Sequence, residues 1–354
     1  MQIEENKINF RLVNNASVYL NQIVKNYKHD KIFIIVDENT KLECLPFLLS
    51  NLSFKAGKII EIKGGENNKS LETVNIIWNY LGKSGIDRKS IIINLGGGML
   101  CDLGAFAAST IKRGIDFINI PTTLLAMVDA AIGGKAGFNF NGLKNEIGLI
   151  KQPNDVIIDV RFLKTLDSEN ILSGYGEMLK YALTYDKELW KKLLSFNLQN
   201  INYESLSELI LNSVNIKKFF VESDPFEKNI RKALNFGHTF GHAFESFSIN
   251  SSSPVIHGKA IAYGMICETF LSYKRAGLDE KSLNDITRFI IDTFGNFYIS
   301  SDKYEVYINL MKYDKKNEND KINCTLIPEI GKFTIDNFFK EDEIAEALDF
   351  MRNF

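Results

Sequence analysis

The chain has only four cysteines, Cys44, Cys101, Cys267 and Cys324, far apart and without a CxxC pair. That argues against a disulfide framework and against a structural zinc site, and fits a reducing cytoplasm. Long apolar runs are missing too: none reaches the roughly 18 residues a membrane helix needs. The opening Met-Gln-Ile-Glu-Glu-Asn has neither a basic nor an apolar segment, so the chain is expected to be neither exported nor membrane-embedded. Charge of one sign is also lacking, with a formal net charge of -2 and a pI of about 6.2. No global positive field draws the protein to nucleic acid or an anionic membrane, and neither is expected as a partner. Anions must be bound by local lysines and arginines. What remains is an ordinary globular composition, 45% hydrophobic and 24% charged over 354 residues, long enough for two domains.

The first part alternates short β-branched runs with helical stretches: KIFIIVDENT (31–40), KIIEIKGGE (58–66), SIIINLGGG (90–98), DFINIP (116–121) and NDVIIDV (154–160). This pattern predicts a Rossmann-like α/β domain with a parallel sheet over residues 1–167. Helical periodicity then takes over in ENILSGYGEMLKYAL, SELILNSVNIKKFFVES, RKALNFGHTFGHAFESF and HGKAIAYGMICETFLSYKRAG. A mostly α-helical second domain is expected over residues 168–354. The charged stretch DKKNENDK (314–321) reads by itself as a solvated turn.

Two standard fingerprints are absent. In SIIINLGGGMLCDLGAFAAST a strand runs into Gly96, Gly97 and Gly98, with Asp102 early in the helix that follows. Bare N–H groups at such a helix start suit a pyrophosphate, and a tight turn without ligand has the same look. The spacing is not GxGxxG, and the acidic strand-end residue, Asp37, precedes the glycines instead of following them. Further on, Arg113, Asp129, Lys135, Lys144 and Asn145 lie among glycines and apolar residues without helical period. That mixture reads as the wall of a polar pocket.

Histidine is scarce, yet three of the four, His238, His242 and His257, fall within twenty residues. His238 and His242 stand at i, i+4 on one helix face. The Glu of HExxH is missing, so a zincin-type protease is ruled out. A catalytic metal takes mixed nitrogen and oxygen ligands, and Glu177, the single carboxylate of the apolar stretch GYGEMLKYAL, is the candidate oxygen donor. The competing reading pairs Glu177 with Lys180 in an ordinary helix salt bridge. Lys217, Glu227 and Arg231 precede Asn235 and the histidines, placing cations where an anionic substrate would need them. His29, in NYKHD, reads as surface.

Taken together, GGGMLCDLGAFAAST, KRGIDFINIPTTLLAMVDAAIGGKAGFN, LKNEIG, SGYGEMLKYAL, DPFEKNIRKALNFGHTFGHAFE, HGKAIAYGM and MKYDKK resemble the 3-dehydroquinate synthase family of sugar-phosphate cyclases over nearly the whole chain. VDENT and GGENNKS add weaker likeness in the same order. By position, the resemblance implies that Glu177, His238 and His257 bind zinc or cobalt. It implies NAD contacts from Asp37, Asn39, Glu66, Lys69, Gly97, Gly98, Asp102, Thr122, Thr123 and Lys144. Substrate contacts would come from Arg113, Asp129, Lys135, Asn145, Lys180, Lys217, Arg231, Asn235, His257 and Lys315 or Lys316, which reassigns the run read as solvated. His242 and Glu227 would handle protons, with Lys135 and Arg231 also in the catalytic set. Pro225, Lys259 and Ala136 depart from the family's commonest residues without removing a proposed ligand.

The activity so implied converts 3-deoxy-D-arabino-heptulosonate 7-phosphate to 3-dehydroquinate and phosphate in the shikimate route to aromatic amino acids, in a homodimer. Its rivals are other cyclases, making 2-deoxy-scyllo-inosose or using an amino substrate. A metal-dependent polyol dehydrogenase would share the glycine turn but lacks GHTFGHAFE with LKNEIG, and a non-catalytic homologue would not be expected to keep every ligand.

Overall fold

The computed structural model describes residues 7–54, 58–141, 143–249, 251, 254–312 and 321–354. They form two compact units, the first running to Asp167 and including Tyr203–Lys218, the second comprising Ser168–Asn202 and Phe219–Phe354. Among the described residues the strands are β1 Phe10–Leu12, β2 Ile32–Asp37, β3 Lys58–Ile62, β4 Ile91–Gly96, β5 Asp116–Pro121, β6 Lys135–Phe140, β7 Leu143–Ile150, β8 Asp155–Ile158, β9 Ile322–Glu329 and β10 Lys332–Phe339.

In the first unit β2 and β4 are β-branched runs buried on both faces, as befits strands inside a sheet covered on both sides. The six-stranded sheet has the order β1-β8-β5-β4-β2-β3, with every pairing parallel. From β2 the chain moves outward to β3, whereas from β4 it moves the other way, to β5 and then β8. In an open parallel sheet the ligand crevice lies beyond the carboxyl ends of the strands at such a reversal. Asp37 ends β2 and Gly96 ends β4 at that point. The helix Gly98–Thr110 buries Leu100, Leu103 and Ala107 against Phe33, Ile35, Ile92 and Phe117 of the sheet.

The second unit is mostly helical, built from Ser168–Tyr185, Lys187–Leu194, His238–Ser248, His257–Arg275, Glu280–Phe294, Tyr304–Lys312 and Glu341–Asn353. An antiparallel ribbon of β9 and β10 joins them. No helix among the described residues is long and apolar enough to cross a membrane.

Five expected strands are present as β2, β3, β4, β5 and β8. Three features differ from the sequence reading. The three-residue β1 and the antiparallel pairs β6–β7 and β9–β10 were not foreseen; glycines and charges interrupt the alternation in β6 and β7, whereas β9 and β10 hold no glycine and lie in the part read as helical. RKALNFGHTFGHAFESF is not one helix: Gly237 at φ 79° separates a 3-10 segment, Ile230–Asn235, from the helix His238–Ser248. Arg231 therefore stands on a separate segment and not on one continuous helix with the histidines. Finally, the helix Tyr203–Ser223, assigned by pattern to the second domain, packs with the first unit up to Lys218. Lys217 Nζ is 2.7 Å from Asp129 Oδ1 and Lys218 Nζ lies over the Phe10 ring, which accounts for the attachment.

Candidate active site

Glycines place the histidines. The helices Ser168–Tyr185 and His257–Arg275 touch backbone to backbone: a Cβ on Gly258 would sit 1.7 Å from the Ser173 carbonyl oxygen, and one on Gly176 2.2 Å from that of Gly258. The helix His238–Ser248 meets the same central helix where a Cβ on Gly264 would lie 2.0 Å from the Gly237 carbonyl oxygen. Each ligand candidate is a glycine's neighbour: Glu177 follows Gly176, His238 follows Gly237 and His257 precedes Gly258.

The result is convergence on one carboxylate oxygen. His238 Nε2 is 3.6 Å and His257 Nε2 3.3 Å from Glu177 Oε1, and one ligand atom from each of the three lies within 4.8 Å of the others. Bonds of about 2.1 Å to a tetrahedral ion separate its ligand atoms by roughly 3.4 Å, so these residues fit a metal. The opposite ring nitrogens are engaged, His238 Nδ1 with the Phe236 carbonyl and His257 Nδ1 with Glu245 Oε2, each at 3.2 Å. A ring that donates from Nδ1 keeps its Nε2 lone pair for the ion. Glu177 is fully buried and pairs with Lys180 Nζ as well, so the helix salt bridge and the histidine cluster coexist. Burial opposes charge on His257, but hydrogen bonds to the carboxylates of Glu177 and Glu245 outweigh it and raise the imidazole to about 10. Two carboxylates around one ring make this a cation-seeking spot. His242 sits beside the three, its ring centroid 5.1 Å from that of His238 and 5.8 Å from that of His257.

The loop before this helix is organised by Asp224, whose carboxylate accepts from the N–H groups of Lys228, Asn229 and Arg231 at 3.0, 2.7 and 3.2 Å. Buried Arg231 donates from Nη1 to the Pro225 carbonyl at 2.8 Å. Asn235 Nδ2 donates to Glu227 Oε1 at 2.7 Å, with Glu227 in the left-handed region at φ 55°.

In the first unit the NAD candidates gather at the carboxyl edge of the sheet. Asp37 follows from β2, Glu66 and Lys69 come after β3, Gly97, Gly98 and Asp102 after β4, and Thr122 and Thr123 after β5. A Cβ on Gly98 would lie 2.7 Å from Ala130 Cβ and one on Gly97 3.2 Å from Thr123 Cγ2, and no side chain caps the helix that begins there. That bare helix start at the sheet's reversal fits a dinucleotide phosphate. Lys69 Nζ is 2.6 Å from Asp102 Oδ2 and 2.5 Å from Asn145 Oδ1. Burial lifts the Asp102 carboxyl above its ordinary range even though the Lys69 ammonium works against it. Asn139 ties this group together, donating to Glu66 Oε1 at 2.9 Å and accepting from the Asn145 N–H at 2.8 Å. Asp37 caps its helix by accepting from the Thr40 N–H at 2.8 Å. Asn39 is exposed beside it and Lys144 half-buried on β7.

Asp129, on a single π-helical turn Ala126–Ala130, is held by Lys217. Lys135 is exposed at the start of β6. Arg113 is not brought to this edge. It is exposed beyond the far end of the helix Gly98–Thr110, and 13 residues of helix span about 20 Å. Lys315 and Lys316 lie outside the described residues.

Two family models match the chain, 3-dehydroquinate synthase N-terminal over residues 59–173 and 3-dehydroquinate synthase C-terminal over residues 174–317. A 3-dehydroquinate synthase from Parabacteroides distasonis is 44% identical over 333 residues, 94% of either chain. The chain belongs to the 3-dehydroquinate synthase family. Its fold is shared with a 2-epi-5-epi-valiolone synthase from Streptomyces hygroscopicus solved with NAD+ and Zn2+, at TM-score 0.84 and 23% identity over 98% of this chain and 97% of that one. A 2-deoxy-scyllo-inosose synthase solved with carbaglucose-6-phosphate, NAD+ and Co2+ gives TM-score 0.83 at 22% identity, over 98% and 96%. At that identity the likeness speaks for the fold alone, so within this family the assignment of substrate rests on the closer sequence relatives.

Sequence reasoning gave no task to Glu245, Asn139 or Asp224. Glu245 had a signal, since it stands seven residues after His238 and three after His242 on the same helix. Asn139 had none, because Glu66 is 73 residues away in sequence and Asn145, six residues on, lies on the next strand.

Proposed function

We propose that this member of the 3-dehydroquinate synthase family is a carbon–oxygen lyase that converts 3-deoxy-D-arabino-heptulosonate 7-phosphate to 3-dehydroquinate and phosphate. It works in the cytoplasm as a homodimer. The observation that carries the reading is the convergence of two imidazole Nε2 atoms on Glu177 Oε1, in a chain so close to a synthase of that name. Residues 1–167 serve NAD, held by Asp37, Asn39, Glu66, Lys69, Gly97, Gly98, Asp102, Thr122, Thr123 and Lys144. Residues 168–354 supply Glu177, His238 and His257 to zinc or cobalt. When bound, NAD would supply a hydride acceptor and donor for the C5 carbon, and the ion would supply a Lewis acid.

The chain's own residues bind and orient. Lys180, Lys217, Arg231, Asn235 and Lys315 or Lys316 supply donors for the anionic groups of the substrate, with Asp129, Lys135 and Asn145. Elimination of phosphate needs the C6 proton removed, and a clamp that holds a phosphate oxygen against C6 lets the leaving group take that proton itself. His242, adjacent to both histidine ligands, moves a hydroxyl proton at its imidazole nitrogen, and Glu227 is its acidic counterpart. Arg113, on the opposite edge of the sheet, would meet substrate by reaching the site of a second copy in the proposed homodimer.

The test is phosphate release from 3-deoxy-D-arabino-heptulosonate 7-phosphate with NAD and zinc or cobalt, beside a chelated control and His238→Ala. Phosphate with 3-dehydroquinate, abolished in both controls, upholds the proposal. A folded, metal-loaded protein that binds NAD and releases nothing overturns the substrate assignment.

A further inference from the structure

We infer that Glu245 is the positioning residue for His257, accepting a hydrogen bond from Nδ1–H so that Nε2 faces Glu177 and His238. The inference rests on the metal reading given under Proposed function. His257 is the first residue of its helix, and the preceding Ile256 makes no side-chain cap, so the helix start alone does not fix how the ring is turned. Its side chain is also the most exposed of the three, at 29% against 12% for His238 and 0% for Glu177.

Two contacts from the helix His238–Ser248 supply the constraint. Glu245 Oε2 is 3.2 Å from His257 Nδ1, and Ser248 Oγ accepts from the Val255 N–H at 3.0 Å, tying down the segment that leads into His257. One helix thus provides a ligand, His238, and the anchor of another. The two histidines are anchored unequally, since His238 Nδ1 faces a neutral carbonyl, that of Phe236. A carboxylate partner makes an imidazole a stronger donor than a carbonyl does, and outer partners of this kind tune metal affinity by about 10- to 100-fold.

The experiment titrates Co2+ into the full-length, metal-stripped chain, following the cobalt absorption bands and competing with a chelating indicator. Glu245→Ala is expected to bind Co2+ about 10- to 100-fold more weakly with shifted bands. Glu245→Gln, whose amide oxygen can still accept from Nδ1–H, is expected to fall between it and the wild type. Wild-type affinity and unchanged bands in Glu245→Ala overturn the inference while leaving the metal site standing. If the wild type and Glu177→Gln bind Co2+ alike, the metal reading itself fails and takes the inference with it. A second measurement needs no variant: 15N spectra of the Zn2+-loaded wild type should show the His257 ring protonated at Nδ1. A ring protonated at Nε2 overturns the proposal even if Glu245→Ala fails to fold.

Discussion

Glu177 faces His257 because the backbone of Gly258 lies against that of Ser173, so close that a Cβ at Gly258 would be 1.7 Å from the Ser173 carbonyl oxygen. Neither backbone can yield as a side-chain tip would, so Gly258→Ala must push two helices apart. Overpacking of this sort costs about 1–3 kcal/mol or more, and the separation falls directly on the Glu177 and His257 pair. The expected outcome is a lower unfolding midpoint together with weakened Co2+ binding. Gly82→Ala, in a helix where a Cβ meets nothing within 4 Å, is the control. It should stabilise by about 0.5–1 kcal/mol and leave Co2+ binding unchanged. Equal behaviour of the two variants would show that the helix contact does not set the ligand geometry.

Asp102 carries a pH signature. Burial raises its carboxyl above the ordinary 3.8 despite Lys69, so the folded chain holds this proton more tightly than the unfolded one. The stability this group contributes is fully present below the unfolded value and is lost as pH rises through the higher folded one. Asp102→Asn cannot ionise, and its urea midpoint measured from pH 4 to 8 should lack that decline. A variant profile parallel to the wild type would place the pH dependence elsewhere.

The sequence made the parallel sheet legible because β2, β4 and β5 are dense in isoleucine and valine and end in residues of special shape, Asp37, Gly96 and Pro121. The metal candidates were legible through rarity, four histidines with three close together. Their carboxylate partner was found by its isolation in the apolar stretch GYGEMLKYAL. What could not be read is long-range. The break at Gly237 depends on Gly264 and Met265 crowding it from another helix. The attachment of Lys217 to the first unit depends on Asp129, 88 residues away. No local periodicity encodes either contact.

Asp224 organises the stretch that holds Arg231 by accepting from three backbone N–H groups. Asp224→Ala leaves those donors without that acceptor, and a buried N–H without a partner costs about 1–3 kcal/mol. The 3-10 segment Ile230–Asn235 should loosen, displacing Arg231 and Asn235. The proposed reaction should then show a higher KM for the phosphorylated substrate, with affinity for NAD unaltered because the residues proposed to hold it belong to the other unit. An unchanged KM would mean that contacts such as the bond to the Pro225 carbonyl hold Arg231 in place without Asp224.

Arg113 supplies a test of the homodimer that does not depend on measuring mass. Within one chain it stands about 20 Å of helix away from the glycine turn, and the proposed homodimer would bring it to the substrate of a second copy related by two-fold symmetry. Arg113→Ala and His238→Ala should each be nearly inactive alone. If Arg113 serves the partner's site, a mixed dimer of the two variants concentrates both defects in one site and leaves the other intact. Random re-pairing of equal amounts, which makes half the dimers mixed, should then restore about a quarter of wild-type activity. If Arg113 acts within its own chain, every site in the mixture carries one defect and no activity returns. Recovery that follows the time course of subunit exchange would tie the effect to assembly.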